Sequence, residues 1–189
     1  GKRLLTYIKN LLNYPYDLTC YRPPRGKTVY TLQINSRTCY NSLLKHGLTP
    51  KKTYGFNIKN LPQEFFNAFL RGYFEGDGCV SISTPNPSVK NYLTLSFVSC
   101  NEFIEYCFNH LPLCSSSTHQ HSKHIREARF TGQQGVKFGV WLFKNTQLFK
   151  SYKYEQFKHY FSIADEPQWS KYNKIKQKFK QLISQGLNI

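Results

Sequence analysis

The sequence predicts an α+β fold in which helices alternate with antiparallel hairpins. A helical apolar pattern, two extended segments and a second helix occur in the same order twice, beginning at Leu4 and again at Phe103. Between the two copies, residues 60–99 predict a capped helix and a hairpin with alternating apolar and polar side chains. Helices and hairpins arranged in this way are typical of the α+β class.

The two copies of the repeat align element by element. The first predicts a helix at 4–12, strands at 16–22 and 28–34, and a helix at 36–46. The second predicts a helix at 103–111, strands at 115–121 and 124–130, and a helix at 134–144. The proline- and glycine-rich residues 23–26 mark the turn of the first hairpin.

Residues 60–75 predict a helix, because Asn60 is a suitable N-cap and Pro62 suits the first turn. Its apolar face is broad and contains Phe65, Phe66, Phe69, Leu70, Tyr73 and Phe74. Small residues recur every four positions at Ala68, Gly72 and Gly76. Such a stripe lets a second backbone approach closely.

The hairpin after this helix is predicted to have strands at 79–83 and 92–97. Its apolar face contains Val80, Ile82, Leu93, Leu95 and Phe97. Its polar face contains Ser81, Ser83, Thr94 and Ser96. A sheet with one apolar face and one polar face packs on a core and leaves the other side accessible.

The charge of the chain favours a polyanionic partner. The 189 residues include 26 Lys and Arg but only 10 Asp and Glu, a formal net charge of +16. Nucleic acid is the first candidate and an acidic membrane surface the second. No apolar run approaches the roughly 18 residues of a membrane span, and no signal-peptide pattern opens the sequence. We therefore expect no membrane-spanning segment, and we expect nucleic acid and no membrane as the partner.

The cysteines indicate a reducing compartment. The six cysteines, at 20, 39, 79, 100, 107 and 114, form no Cys-x-x-Cys pair, so a four-cysteine zinc site is not expected. We expect free, buried thiols in an intracellular protein. The pattern does not separate an organelle, such as a mitochondrion or chloroplast, from a microbial or phage-infected cytoplasm.

Two carboxylates and three glycines lie together at residues 70–78, where the helix is predicted to end. Negative charge at this end opposes the helix dipole, and a divalent cation held by Asp77 would reverse that penalty. The alternative is that Gly76-Asp77-Gly78 is only a turn between helix and strand.

The sequence FLRGYFEGDG, residues 69–78, resembles the signature motif of the LAGLIDADG homing endonucleases. Residues 60–65 and 95–99 and the helix–hairpin order also resemble this family. The resemblance covers about residues 1–150 and is strongest at 60–110. It implies two αββαββα halves that pack through their motif helices, with a saddle of antiparallel sheets on DNA.

Under this resemblance the first half is incomplete. Residues 1–59 correspond to the C-terminal part of the first half and residues 60–150 to a complete second half with its motif helix. Residues 151–189 form a basic helical extension. A second acidic motif is then expected from a missing N-terminal segment, a separate chain or a homodimer, because cleavage of two DNA strands needs two sites.

The resemblance also implies site residues. Asp77, the last acidic residue of the motif, would bind Mg²⁺, Mn²⁺ or another divalent cation together with the Gly76 carbonyl. Ala68, Gly72 and Gly76 would form the motif-helix interface, and Glu75 would be less directly catalytic. A bound Mg²⁺ lowers the pKa of a water and stabilises the charge on the phosphate and the leaving 3′ oxygen.

Further catalytic residues are expected from the same resemblance. The family commonly has a lysine near the end of the second hairpin of each half, but neither 130–134 nor 34–37 contains one. Gln133 and Arg37 are the expected substitutes. Asn101 corresponds to a polar residue that often holds water, although its role as the N-cap of the next helix is the favoured alternative.

DNA contacts are expected from polar strand faces and loops, the alternative being a solvated sheet face. The second-half candidates are Ser81, Ser83, Asn86, Lys90, Thr94, Ser96, His119, His121, Lys123 and Arg126 or Arg129. The first-half candidates are Thr19, Tyr21, Arg25, Lys27, Thr31 and Gln33. A zinc site of His119, His121, His124 and Cys114 is a less favoured alternative, because the sequence offers no second firm ligand pair.

The tail from residue 150 to residue 189 is basic. Its lysines are Lys150, Lys153, Lys158, Lys171, Lys174, Lys176, Lys178 and Lys180. Tyr172, Ile175, Phe179 and Leu182 have the spacing of an amphipathic helix. We expect a helix packed on the core with its lysines in solvent, and phosphate contact is the alternative.

The leading functional hypothesis is a site-specific, divalent-metal-dependent double-strand DNA endonuclease, encoded by an intron or intein. One alternative is a maturase with the same fold that binds intron RNA. Another is a DNA-binding protein that does not cleave. Retention of Asp77 favours the endonuclease over the binding protein.

Overall fold

The computed structural model describes residues 2–48, 50, 61–83, 91–112, 117–144 and 151–163. The chain divides into two compact units, Gly1–Leu43 and Leu44–Ile189. The predictions for Asn60, Asn86, Lys90, Cys114 and Lys150 lie outside the described residues, as does the predicted helix around 172–182.

The first unit consists of two helices around one hairpin. Helix α1 (Lys2–Leu11) precedes strands β1 (Thr19–Tyr21) and β2 (Val29–Thr31), and helix α2 (Arg37–Lys45) follows. The element order agrees with the prediction, but the strands are shorter than 16–22 and 28–34. Within the described part of the chain these two strands pair only with each other, so the flanking residues have no further ladder there to extend.

The second unit contains a four-stranded antiparallel sheet. Its strands are β3 (Gly78–Ser83), β4 (Tyr92–Cys100), β5 (Ser117–Ser122) and β6 (Ile125–Thr131), in the spatial order β3-β4-β6-β5. Its helices are α3 (Phe66–Asp77), α4 (Asn101–His110), α5 (Gln133–Leu142) and α6 (Tyr152–Ile163). This is the predicted helix–hairpin–helix–hairpin–helix order, followed by an additional helix.

The core of the second unit lies on the apolar face of this sheet. Val80, Leu93, Leu95 and Phe97 are buried, and Ile82 packs against them partly exposed. The predicted division of the hairpin into an apolar and a polar face is therefore present. Phe97, Phe130 and Phe138 stack on one another with ring centroids 4.0–6.4 Å apart.

Helix α3 begins and ends later than predicted. A 3₁₀ turn over Gln63–Phe65 precedes it, and the α-helix extends through Asp77 rather than ending near Glu75. The helix reaches Asp77 because the N–H of the next residue, Gly78, donates to the Phe74 carbonyl. Phe66, Leu70 and Phe74 form the buried stripe, whereas Phe65 is 56% exposed because it belongs to the 3₁₀ turn.

Helix α6 shares a core with the sheet. Tyr154, Phe157 and Tyr160 are buried in the same cluster as Phe74 and Phe97. The predicted domain boundaries, between residues 59 and 60 and between residues 150 and 151, follow the sequence repeat. The boundary between the two compact units falls instead between Leu43 and Leu44.

The cysteines of the described residues are all free. Cys100 and Cys107 are buried and Cys39 is half-buried, but Cys20 and Cys79 are exposed. The expectation of buried thiols is therefore correct for only some of them, because every residue of β1 is exposed and Cys79 lies on the polar face of β3. In the described part of the chain no helix is long and apolar enough to span a membrane.

The packing of α6 on α5 can be tested at Gly139. A Cβ at this position would collide with the ring of Phe157, which is fully buried and has no room to move. We expect Gly139→Ala to lower the free energy of unfolding by about 1–3 kcal/mol, the usual cost of overpacking. Urea denaturation measures this change.

Gly72→Ala is the matched control, because no described atom lies within 4 Å of a Cβ at Gly72. Alanine at an open helical position should raise the free energy of unfolding by about 0.5–1 kcal/mol. An unchanged urea midpoint for Gly139→Ala would contradict the packing of α6 against α5.

Candidate functional site

The acidic residues of the motif lie where α3 joins β3. Gly76 and Asp77 form the exposed last turn of the helix, and Gly78 pairs with Phe97 as the first residue of the strand. A Cβ at Gly78 would overlap the ring of Phe74, so glycine allows the strand to start directly at the helix end. Gly76-Asp77-Gly78 is therefore not a separate turn, and Asp77 is fixed between two regular elements.

Lys153 of α6 is bound to the end of α3. Its Nζ donates to the carbonyl oxygens of Phe74 at 2.8 Å, Glu75 at 2.8 Å and Gly76 at 3.2 Å. The last carbonyls of a helix have no partner within the helix, and the negative end of its dipole attracts a cation. We call Phe74, Glu75, Gly76, Asp77 and Lys153 the helix-end site.

Glu75 and Asp77 have different environments. The Ser151 hydroxyl donates to Glu75 Oε1 at 2.6 Å, and Ser151 itself is buried. Burial raises the pKa of the Glu75 carboxyl, against the opposing effects of Ser151 and Lys153. Asp77 is exposed. Glu75 thus faces the protein, whereas Asp77 is available to a ligand.

Burial also lowers the pKa of the Lys153 ammonium, while the Glu75 and Asp77 carboxylates act in the opposite direction. The lysine is partly desolvated, and it is held by carbonyl oxygens rather than by a salt bridge. Its position places a cationic side chain close to the exposed carboxylate.

The donors of the helix-end site suit a Mg²⁺ ion that is also bound by a substrate phosphate. Mg²⁺ usually takes one or two carboxylates and completes its octahedron with waters and substrate phosphates. Asp77 supplies the carboxylate. The Gly76 carbonyl lies in the preceding peptide and makes the longest of the three contacts with Lys153 Nζ, at 3.2 Å, so its second lone pair is the one left for a cation. Glu75 is engaged by Ser151, so the donors on this chain suit an ion shared with a phosphate better than a closed protein site.

The polar face of the four-stranded sheet brings several predicted DNA contacts together. Ser81 pairs with Thr94, Thr94 with Thr131, and Ser96 with Arg129 across adjacent strands. Side chains at paired positions share a face. The predicted residues placed on this face are Ser81, Ser83, Thr94, Ser96, His119, His121 and Arg129.

Glu127 also lies on the polar face and was not predicted. Arg129 donates to Glu127 Oε2 at 2.7 Å, and His121 Nε2 lies 3.4 Å from the same oxygen. Burial acts to raise the pKa of the Glu127 carboxyl, but hydrogen bonds from Ser96, Arg129 and His121 outweigh it and the pKa is lowered. Glu127 is therefore held as a carboxylate on the polar face, beside Arg129 and His121.

Other predicted residues are placed elsewhere. Arg126 lies on the opposite face of β6, where it forms an ion pair with Glu105 at 3.6 Å. Lys123 lies in the exposed turn between β5 and β6, and its carbonyl accepts a hydrogen bond from Asn101 Nδ2 at 3.0 Å. The Asn101 side chain therefore holds this turn, whereas Cys100 occupies the N-cap position of α4.

Gln133, one of the two expected substitutes for the family lysine, is not part of the helix-end site. Gln133 begins α5 directly after Gly132, and the Gly132 N–H donates to the carbonyl of Leu93. Leu93 pairs near the C-terminal end of β3, whereas Asp77 directly precedes the N-terminal end of that strand. Arg37 belongs to the first unit.

The lysine at the acidic helix end is Lys153, which the sequence showed only as one of many tail lysines. Ser151, whose Oγ accepts from the Tyr154 N–H at 2.9 Å, is the helix-start signal that could have located it.

The first-unit candidates are exposed on or beside its hairpin: Thr19, Tyr21, Arg25, Lys27, Thr31 and Gln33. Thr19 and Thr31 pair in register and share one face.

The small-residue stripe of α3 is exposed. Ala68, Gly72 and Gly76 lie on solvent-accessible positions of the helix, away from its buried stripe. No atom of the described residues lies within 4 Å of a Cβ at Gly72 or Gly76. The predicted interface is thus sterically open to a second helix.

The raised pKa of Glu75 predicts a pH dependence of stability. Because the folded protein binds this proton more tightly, stability falls as pH rises from the unfolded pKa near 4.5 through the higher folded pKa. Glu75→Gln keeps an acceptor for Ser151 and removes the buried charge. Its free energy of unfolding should therefore exceed that of the wild type at neutral pH and approach it at acid pH.

Urea denaturation at several pH values measures this difference, with Glu64→Gln, an exposed carboxyl in the preceding 3₁₀ turn, as the control. A Glu75→Gln stability difference that stays constant with pH would contradict the assignment.

Comparisons with known proteins identify the fold. No protein-family model and no curated protein matches the sequence. The chain is similar to the structure of the LAGLIDADG homing endonuclease I-LtrWI bound to target DNA, at 15% identity and a TM-score of 0.52, over 98% of this chain and 79% of that chain.

Two further structures are similar at lower TM-scores. The homing endonuclease I-TnaI matches at 17% identity and a TM-score of 0.40, over 64% of this chain and 80% of that chain. The archaeal intron-encoded homing endonuclease I-Vdi141I, complexed with DNA, matches at 19% identity and 0.44, over 54% and 68%. The assignment depends on I-LtrWI, whose match covers nearly the whole chain and confirms the prediction from residues 69–78. The chain has the α+β fold of the LAGLIDADG homing endonucleases.

Proposed function

We propose that the chain is a site-specific DNA endonuclease that uses a divalent cation, Mg²⁺ or Mn²⁺, to hydrolyse phosphodiester bonds. The observation that carries this proposal is the helix-end site, where the exposed Asp77 lies beside the ammonium of Lys153. A carboxylate that can share a metal with a phosphate, next to a fixed cation, is suited to phosphodiester hydrolysis.

The residues of this site would have distinct roles. Asp77, with the Gly76 carbonyl, would hold the cation. A bound Mg²⁺ would lower the pKa of a water and neutralise charge on the phosphate. Lys153 would keep the helix end in place and set a positive charge beside the phosphate. Glu75 would stay turned toward Ser151 and would take no ligand position.

Binding of the duplex would use the polar face of the four-stranded sheet. Strands can read base edges in the major groove, and lysines and arginines hold the phosphates. The net charge of +16 supports a salt-dependent attraction to DNA. I-LtrWI is described in complex with its target DNA, and it has the same fold.

Cutting both strands would need a second acidic centre. We propose that a second motif helix, from another segment, a separate chain or a second copy, packs on Ala68, Gly72 and Gly76. These positions are exposed and leave room for a close backbone approach.

The proposal is tested by cleavage of a randomised duplex library in Mg²⁺. We expect the wild type to cut a specific subset of duplexes. Asp77→Asn should reduce the rate at least about a hundredfold, because it removes the carboxylate that holds the cation. Lys153→Met should reduce it about ten- to a hundredfold while leaving salt-dependent DNA binding in place.

Lys158→Met is the matched control, since Lys158 lies on the same helix and contacts only Glu155 among the described ion pairs, at 3.8 Å. Its cleavage rate should equal that of the wild type. Wild-type cleavage that survives Asp77→Asn would refute the role proposed for Asp77. Tight DNA binding with neither nicking nor double-strand cleavage in any divalent cation would refute cleavage by this chain alone, and would favour the binding protein or a second motif helix supplied by a separate chain.

A further inference from the structure

The exposed edge of the four-stranded sheet contains a group of metal-ligating side chains far along the chain from Asp77. His119 and His121 lie on β5, and Glu127 lies on β6 directly opposite His119 in the register. One ligand atom from each lies within 4.8 Å of the other two. The sequence shows the His-x-His pair, but only the strand register supplies the third ligand.

We propose that His119, His121 and Glu127 bind a zinc-class divalent ion that ties the edge strand β5 to β6. Two imidazoles and one carboxylate are a common ligand set for Zn²⁺, with a fourth position left for water. This proposal rests on contacts within the sheet, and it does not depend on DNA cleavage.

The distances are close to those of a formed site. Zn–N and Zn–O bonds of about 2.0–2.2 Å in a tetrahedron place neighbouring ligand atoms roughly 3.4 Å apart. His121 Nε2 and Glu127 Oε2 already lie 3.4 Å apart. The His119 and His121 ring centroids are 5.1 Å apart, and both rings are exposed. The exposed His119 ring has to bring its ligand nitrogen from within 4.8 Å of the other two ligand atoms to the closer spacing of a bound ion.

Glu127 provides the fixed point of the site. Its side chain is 8% exposed, whereas that of His121 is 46% exposed, so the carboxylate is held by the sheet and the imidazoles face solvent. Arg129 donates to Glu127 Oε2 at 2.7 Å and competes with a cation for the same oxygen. A carboxylate has further lone pairs and can keep the arginine while binding an ion.

An ion at this position would stabilise the edge of the sheet. Among the described strands β5 pairs with β6 alone, all of its residues are exposed, and the ladder is irregular between Gln120 and Ser122. An ion shared by the two strands would hold this edge in register.

Imidazole ligands favour Zn²⁺, Co²⁺, Ni²⁺ and Cu²⁺ over Mg²⁺. The proposed ion is thus chemically distinct from the Mg²⁺ proposed at Asp77.

The test is titration of the full chain, freed of metal by a chelator, with Co²⁺ followed by visible absorption and with Zn²⁺ followed by calorimetry, both in excess Mg²⁺. We expect one equivalent to bind, with a Co²⁺ spectrum that lacks the near-ultraviolet band of thiolate ligands. His119→Ala and His121→Ala should each weaken binding at least about tenfold. His159→Ala, an exposed histidine on α6, should leave binding unchanged.

Two further measurements distinguish the loss of a zinc ligand from a defect in folding. Arg129→Gln removes the competitor and should keep Zn²⁺ binding intact or strengthen it. Hydrogen exchange of the β5 amides should slow when Zn²⁺ is added to the wild type and should not change in His121→Ala. Equal Zn²⁺ affinity in His121→Ala and wild type, a thiolate band with Co²⁺, or no saturable binding would each overturn the proposal.

Discussion

The hydrogen bonds from Lys153 to the last carbonyls of α3 are the interaction on which the helix-end site depends. A helix that ends in Glu75 and Asp77 concentrates negative charge where its dipole is also negative. The ammonium of Lys153 satisfies the carbonyls of Phe74, Glu75 and Gly76 and balances that charge. The helix can therefore keep an exposed carboxylate at its end.

The rest of the second unit sets the position of this lysine and this carboxylate. Lys153 reaches the helix end because its helix neighbours Tyr154 and Phe157 are buried in the core and fix the position of α6. Asp77 is held because Gly78 starts β3 against the ring of Phe74 and pairs with Phe97. The same aromatic core thus supports both groups, and the polar face of the sheet remains available for a partner.

The fold could be predicted from local patterns, and the details that depend on distant contacts could not. Alternation at 79–83 and 92–97 identified the faces of the central hairpin, and the motif at 69–78 identified the fold. Lys153 could not be assigned, because it meets Glu75 across 78 residues of chain and is one of eight lysines in its segment. Glu127 was missed for the same reason: only the pairing of β5 with β6 sets it opposite His119.

Hydrogen exchange at the end of α3 tests the central claim most directly, because it reports on the helix end without any assumption about DNA. The Gly78 N–H shares the Phe74 carbonyl with Lys153. A hydrogen bond to a charged donor contributes about 1.5 kcal/mol or more, so Lys153→Met should speed exchange of the amides at 76–78 about tenfold. Lys158→Met should leave them unchanged. Equal protection of these amides in wild type and Lys153→Met would show that the lysine does not hold the acidic helix end, and it would contradict this account.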